Sequence, residues 1–389
     1  MRGRGAAVCG LIVATALGAL GAEPPLQSLA REHVGADQGV FAQAEDGTVL
    51  VAQVEDRAVH PASVTKIATA LALVERLGAD HRFTTRFVAT TTPRDGRLDG
   101  DLVVEGGNDP FFVYESAFLV LRRLHEMGLR TVAGRVDTRG VFLFNWQPDP
   151  GGVRLLRALR GADGAEAWAA LGDPQTLAAV ALRFSPGRKT AGSADDLLVT
   201  LRSPILLHVL KTLSGYSNNV YHYASDAIGG PHAVETIAKA HVSPELRDQI
   251  VIDNGAGAGT TNRLSPRVAV ALLRALEHTL VAQHHELVDV LPVSGVDPGT
   301  LKDRLLDHRR YVVGKTGTFG SVGASGLAGI LRSKRYGTVA FAVLNHNVPV
   351  PDARARQDAF VRALIDATDA EAWPYDTPMR PTYLEAIVE

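Results

Sequence analysis

Two short apolar runs, Val40-Phe41-Ala42 and Val49-Leu50-Val51, flank a Glu45-Asp46-Gly47 turn and predict a hairpin over 39–52. Beyond Pro61-Ala62-Ser63 the period changes. Ile67, Leu71 and Val74 fall at helical spacing and Gly78 supplies a stop, so a helix is predicted from near Ser63 to Leu77. Strand texture returns over 82–104, broken by Asp-Gly turns at 95–96 and 99–100 and ended by Gly106-Gly107-Asn108-Asp109-Pro110. A helix follows over 117–127. The Ala-, Gly- and Arg-rich stretch 151–194 has no clear period and reads as helical fragments and loops. Short helices are predicted at 205–213 and 217–228, and an amphipathic one at 267–277. Three strands at 311–318, 324–331 and 336–344 precede a closing helix at 359–367. Consecutive antiparallel strands with helices before and after them predict an α+β fold rather than a parallel α/β one.

Composition narrows the function classes. At 389 residues, 46% apolar and 21% charged, the chain is an ordinary globular sequence long enough for two domains. Forty basic against forty-two acidic side chains leave a net charge of −2. That lacks the basic surplus of a nucleic-acid binder, so no nucleic-acid partner is expected. Arg2 and Arg4 precede an apolar stretch at 6–19, and Gly21 and Ala22 end it. The run is too short for a comfortable membrane span, so 1–22 is read as a cleaved signal peptide. The remainder is expected to be periplasmic or secreted, and the tail beyond Trp373 shows no anchor. Cys9, the single cysteine, lies inside the signal, so cysteine catalysis and thiolate metal sites are excluded from the mature chain. His284-His285-Glu286 lacks the i, i+4 spacing of a zinc helix and reads as solvated surface.

Three short motifs carry chemistry. Ser63-Val64-Thr65-Lys66 puts an amine one helical turn from a hydroxyl, close enough for a neutral lysine to take the serine proton. The competing reading is that Ser63 only caps the helix. A capping box, however, wants Glu or Gln at the third position, and Lys66 sets a cation at the positive end of the helix dipole. Ser217-Asn218-Asn219 offers a hydroxyl and a carboxamide on one turn, or else a second cap. Lys315-Thr316-Gly317-Thr318 ends a predicted strand, where Lys315 and Gly317 share a face and the glycine lets a substrate backbone approach closely.

In this order the three motifs match the S-x-x-K, S-D-N and K-T-G set of penicillin-binding proteins and class A β-lactamases. The chain resembles in particular the D-alanyl-D-alanine carboxypeptidase/endopeptidase family of class C low-molecular-mass penicillin-binding proteins. The likeness extends to Gly106-Gly107-Asn108-Asp109-Pro110 (G-G-G-D-P in the family) and to Asn262-Arg263-Leu264-Ser265-Pro266 (N-R-x-S-P). It also takes in Leu291-Pro292-Val293-Ser294-Gly295-Val296-Asp297 with Gly299-Thr300-Leu301. It covers most of 39–140 and 200–345. Asn218 stands where the family often has Asp, and D-G-S-G becomes Asn254-Gly255-Ala256-Gly257. The interval between Ser63 and Ser217 is short for that family.

The resemblance implies a β-lactamase/transpeptidase-like domain, an antiparallel sheet with helices on both sides, at 23–84 and 198–389, interrupted by one inserted strand-rich domain at 85–197. It implies a serine D-Ala-D-Ala carboxypeptidase, with endopeptidase activity left open, acting on peptidoglycan stem peptides, acylated by β-lactam antibiotics, with no cofactor and no metal. Ser63 would be the nucleophile, Lys66 its base and Ser217 a proton relay. Asn219 would bind the substrate amide, and Lys315, Thr316 and Thr318 its terminal carboxylate, with Gly317 admitting the substrate backbone. The backbone N–H groups of Ser63 and Thr318 would form the oxyanion hole. A serine β-lactamase or esterase could use the same constellation, and a non-catalytic peptidoglycan-binding protein could retain it as a dead site.

Overall fold

The computed structural model describes residues 25–185, 195–216, 218–377 and 380–389. Its main sheet is antiparallel and runs in the order Val313–Phe319, Ala324–Ser333, Gly337–Asn345, Gly39–Ala44, Val49–Gln53, with Ala370–Glu371 added against Ala324–Ser333. The N-terminal hairpin thus closes onto strands some 300 residues later, through pairs such as Val40 with Val343.

Period-two patterning decides which helices cover which face. Val339, Phe341 and Val343 point into one core, beneath the helices Pro25–His33 and Val350–Ala367. Ala340, Ala342 and Leu344 point into the other, with the helices Lys66–Leu77, Leu206–Gly215 and Pro266–Val281. The expected α+β arrangement with helices on both sides of the sheet is observed. On the second face small side chains prevail, which lets the start of the Lys66–Leu77 helix settle close to the strands. The Pro266–Val281 helix begins as its sequence dictates. Ser265 Oγ accepts from Val268 N at 3.2 Å and Pro266 occupies the first turn, a cap worth about 1 kcal/mol.

A second sheet has the order Ile387–Val388, Asp196–Arg202, Thr84–Ala89, Leu102–Gly107, Val136–Val141, antiparallel except for its last pair. The helix Tyr114–Glu126 covers it, and Phe87, Val104, Phe112, Phe118 and Leu201 lie in a core separate from the first two. The division expected at 197/198 falls inside the strand Asp196–Arg202, and the tail returns to pair with that strand. Between Val153 and Val180 the chain forms three short helices. Phe111 and Phe112 link the two units, one side chain in the core under the Lys66–Leu77 helix and the next in the core of the second sheet.

Among the described residues no helix is long and apolar enough to cross a membrane. The expected signal at 1–22 lies outside them.

Candidate active site

The predicted helix near Ser63 opens as a tight 3-10 turn, Ala62–Thr65, before the α-helix Lys66–Leu77. Ser63 does not cap it. Its Oγ donates instead to the carbonyl of Ala256 at 3.3 Å. The turn is entered through Ala62 at φ +48, a conformation uncommon for any residue but glycine. His60 holds it there: Ala62 N donates to His60 Nδ1 at 3.1 Å, and Nε2 lies 2.7 Å from the Gly259 carbonyl. The bond from Ala62 assigns the ring proton to Nε2. The imidazole stacks on Phe319 with centroids 4.7 Å apart, and its burial favours the neutral form.

Lys66 is wholly buried. Its Nζ donates to the Tyr216 carbonyl and to Asn218 Oδ1, both at 3.3 Å, and sits 5.4 Å from the Tyr221 ring centroid. Burial, and after it the neighbouring Lys315 charge, holds the amine well below the ordinary lysine range. Asn218 matters here, because a neutral amide accepts from the amine without adding a negative charge that would favour its protonated form. The serine and the lysine are each held by a neighbouring loop.

Lys315 comes from the edge strand Val313–Phe319. It is buried, donates to the Thr316 carbonyl at 2.8 Å, and is brought by burial to about 7. Gly317 faces the nucleophile's turn. A methyl placed there would lie 2.5 Å from the Pro61 carbonyl oxygen and 3.2 Å from Ser63 N, so only glycine lets the strand approach. Thr316 Oγ1 bonds Thr300 Oγ1 at 2.5 Å, and Thr318 is exposed at the strand end. Arg354 Nη2 donates to Thr318 Oγ1 at 3.1 Å, which leaves that hydroxyl's own proton free for another acceptor.

Loop 254–259 lines the opposite side. Asn254 Oδ1 accepts from Ala256 N and Ala258 N, and Asn254 N donates to Asn262 Oδ1. Asn262 in turn donates to Thr65 Oγ1 at 3.2 Å. Gly257, at φ +79, passes so near the Ala62 carbonyl that a side chain would overlap it. Two asparagines thus organise the loop, and the Ala256 methyl packs in the core where the family motif has a hydroxyl. The turn bearing Asn219 is held through the loop around Asp297. There, Lys211 Nζ contacts Asp297 Oδ2 and the carbonyls of Val288 and Leu291, each at 2.7 Å, and Thr300 N donates to Gly215 O.

Ser63, Lys66, Lys315 and Gly317 are therefore brought together, Gly317 beside Ser63 N and the Lys315 charge beside Lys66, with Thr316 and Thr318 on the same strand as Lys315. Asn219 stands beside Asn218, its Oδ1 buried without a partner among the described residues. Ser217 lies outside the described residues. Sequence reading missed His60, Asn218 as the lysine's acceptor, Thr300 and Arg354. Asn218 and Thr300 lay within motifs already singled out as family likenesses; His60 and Arg354 did not. A cavity of about 450 Å³ opens beyond Tyr216, lined by Phe111, Lys211, Pro298, Arg380 and Tyr383; Ser63, Lys66 and Lys315 do not line it.

A buried lysine depressed from 10.5 to about 7 makes the fold less stable as pH falls from 10.5 towards 7, because over that range only the unfolded chain takes up the proton. Lys315→Met is accordingly expected to be more stable than wild type at pH 7. The advantage should shrink by about 1.4 kcal/mol per unit as pH is raised towards 9. Denaturant melts at pH 7, 8 and 9 check this; an advantage independent of pH would place the proton elsewhere.

A profile of the D-Ala-D-Ala carboxypeptidase 3 (S13) family matches residues 26–140 and 180–366. The carboxypeptidase DacB of Mycolicibacterium smegmatis is 25% identical over 387 residues, covering 87% of this chain and 82% of that protein. Among solved structures, a predatory peptidoglycan endopeptidase of Bdellovibrio bacteriovorus superposes with a TM-score of 0.72 at 21% identity, over 88% of this chain and 95% of that one. The same endopeptidase has been solved acylated by penicillin G, with a TM-score of 0.68 and 22% identity over the same shares. Penicillin-binding protein 4 of Haemophilus influenzae gives 0.61 at 17% identity, over 88% and 99% of the two chains.

Proposed function

Because the chain belongs to the D-Ala-D-Ala carboxypeptidase 3 (S13) family of serine hydrolases acting on peptidoglycan, we propose that it is an exported, penicillin-sensitive carboxypeptidase working through an acyl-enzyme on Ser63. The observation that carries the finer reading is the pairing of a half-buried serine with two buried lysines, one of them at the serine's own helix turn and held by burial well below the ordinary lysine range.

Ser63 Oγ attacks the carbonyl carbon of the penultimate D-Ala while neutral Lys66 takes its proton. The N–H groups of Ser63 and Thr318 receive the oxyanion, and proximity of Gly317 to Ser63 N supports that assignment. Collapse breaks the C–N bond, and the departing D-Ala amine receives a proton relayed by Ser217. That role rests on the serine's place between Tyr216 and Asn218, the two residues that accept from Lys66. Water then hydrolyses the ester and restores Ser63. Lys315, Thr316 and Thr318 bind the terminal carboxylate, and the unpartnered Asn219 Oδ1 takes a substrate amide N–H. The penicillin G adduct of the Bdellovibrio endopeptidase supports β-lactam acylation. We assign 85–197, extended to Arg202 by its strand, to the inserted unit.

The test uses protein recovered from the exported fraction. Its N-terminus is expected at Glu23, and it should release D-Ala from a stem peptide ending in D-Ala-D-Ala. Recovery with Met1 retained removes the signal reading; absence of D-Ala release removes the carboxypeptidase reading.

A further inference from the structure

The second unit reaches the catalytic loop through one residue that the mechanism above does not use. The hairpin Leu143–Phe144/Gln147–Pro148 turns through Asn145 and Trp146, at φ +46 and +70. Positive φ at both central positions is what a two-residue type I′ turn demands, and Asn-Gly satisfies it without strain. Tryptophan in that position is a backbone outlier. Its indole N–H is also buried without an acceptor among the described residues, which is unusual for tryptophan. Two unfavourable features coincide on one side chain, and the surroundings enforce both. Phe144 is buried in the second core, Asn145 N donates to the Phe112 carbonyl, and Arg154 donates to the carbonyls of Phe144 and Asn145 while lying over the Phe144 ring.

Held this way, Trp146 leaves its own unit, packs against the catalytic core, and sets its ring 6.5 Å from that of Tyr216. Tyr216 is 42% exposed, so the indole is its principal aromatic neighbour. Its backbone carbonyl is one of the two acceptors that hold Lys66, and Asn218, two residues on, is the other. We propose that Trp146 is a positioning residue: through the Tyr216 ring it fixes Tyr216 and Asn218, the two acceptors of Lys66, and so keeps the Lys66 amine in place and dry. Strain that persists only because its setting over-determines it is the expected mark of such a role. The proposal rests on the catalytic reading above, but its consequence for Lys66 can be measured without turnover.

Trp146→Gly creates the favoured Asn-Gly turn, so the hairpin itself should fold, while Trp146→Phe keeps an aromatic ring. In Trp146→Gly, kcat on a D-Ala-D-Ala peptide should fall about 100-fold with KM little changed, as expected when a catalytic group is misplaced by about an ångström. Water admitted to Lys66 raises its pKa, so the acid limb of the kcat/KM profile should move up by about half a unit or more. Trp146→Phe should restore most of both. In parallel, competitive acetylation with peptide mapping should find Lys66 protected in wild type and modified several-fold faster in Trp146→Gly, with Lys211, buried in its own ion pair, unchanged as a check on the fold. An unaltered pH profile together with unaltered Lys66 protection overturns the proposal. So does a loss that Lys211 exposure tracks equally, which would make Trp146 simply a strut between the units. Wild-type protein that releases no D-Ala but whose Lys66 protection depends on Trp146 sinks the carboxypeptidase reading and leaves the positioning role standing.

Discussion

Benzylpenicillin is expected to add to the protein once, at Ser63, and Ser63→Ala to abolish the adduct. The β-lactam carbonyl takes the place of the penultimate D-Ala carbonyl, so the same attack opens the ring and leaves a covalent ester that intact-mass spectrometry reads directly. The variant should fold normally. Among the described residues the side-chain bond lost is the 3.3 Å contact to the Ala256 carbonyl, and the helix start is maintained by His60, Gly257 and Thr65 rather than by a serine cap. Removing a nucleophile leaves only transition-state binding, so D-Ala release should fall by at least about 1,000-fold. Ser217→Ala should still be labelled, more slowly. Adduct persisting in Ser63→Ala, or mapping to Ser217, would overturn the assignment of the nucleophile.

What the sequence disclosed and what it withheld follow from the range of the interactions involved. The hairpin at 39–52 and the three strands near the C-terminus were readable because period-two patterning and turn residues act locally. That these segments pair with one another across some 300 residues is a tertiary fact to which no local pattern points. The strand Asp196–Arg202 lay at an expected boundary because its partner Thr84–Ala89 is remote and its other edge is taken by the chain's last residues. At the site, Ser63, Lys66 and Lys315 were legible because each sits in a short motif whose residues act together. His60 and Arg354 were not, since a histidine before a proline and an arginine one turn into a helix have many uses. Asn218 was visible as a departure from the family. Its service to Lys66 becomes evident only when the helix and the 216–219 turn are brought together.

Lys315 carries the last expectation. Without substrate, burial holds it near 7, in the same pocket as Lys66, where two positive charges would oppose one another. A substrate carboxylate changes that balance, because an anion beside Lys315 favours its charged form and raises its pKa. A peptide ending in D-Ala-D-Ala should therefore be cleaved much better than its C-terminal amide. Loss of one charge-assisted partner costs about 1.5–3 kcal/mol, which corresponds to roughly 10–150-fold in kcat/KM. Because anion binding takes up a proton above about pH 7, KM for the acid should also rise with pH, by up to about tenfold per unit, while KM for the amide stays flatter. Lys315→Ala should lose activity on the acid and, decisively, compress the acid-over-amide ratio. Loss of activity alone could follow from a disturbed Lys66, whereas compression of the ratio reports on the carboxylate. If wild type and Lys315→Ala keep equal ratios with unchanged circular dichroism, carboxylate recognition passes to Thr318 and to Arg354, whose guanidinium already lies 3.1 Å from the Thr318 hydroxyl.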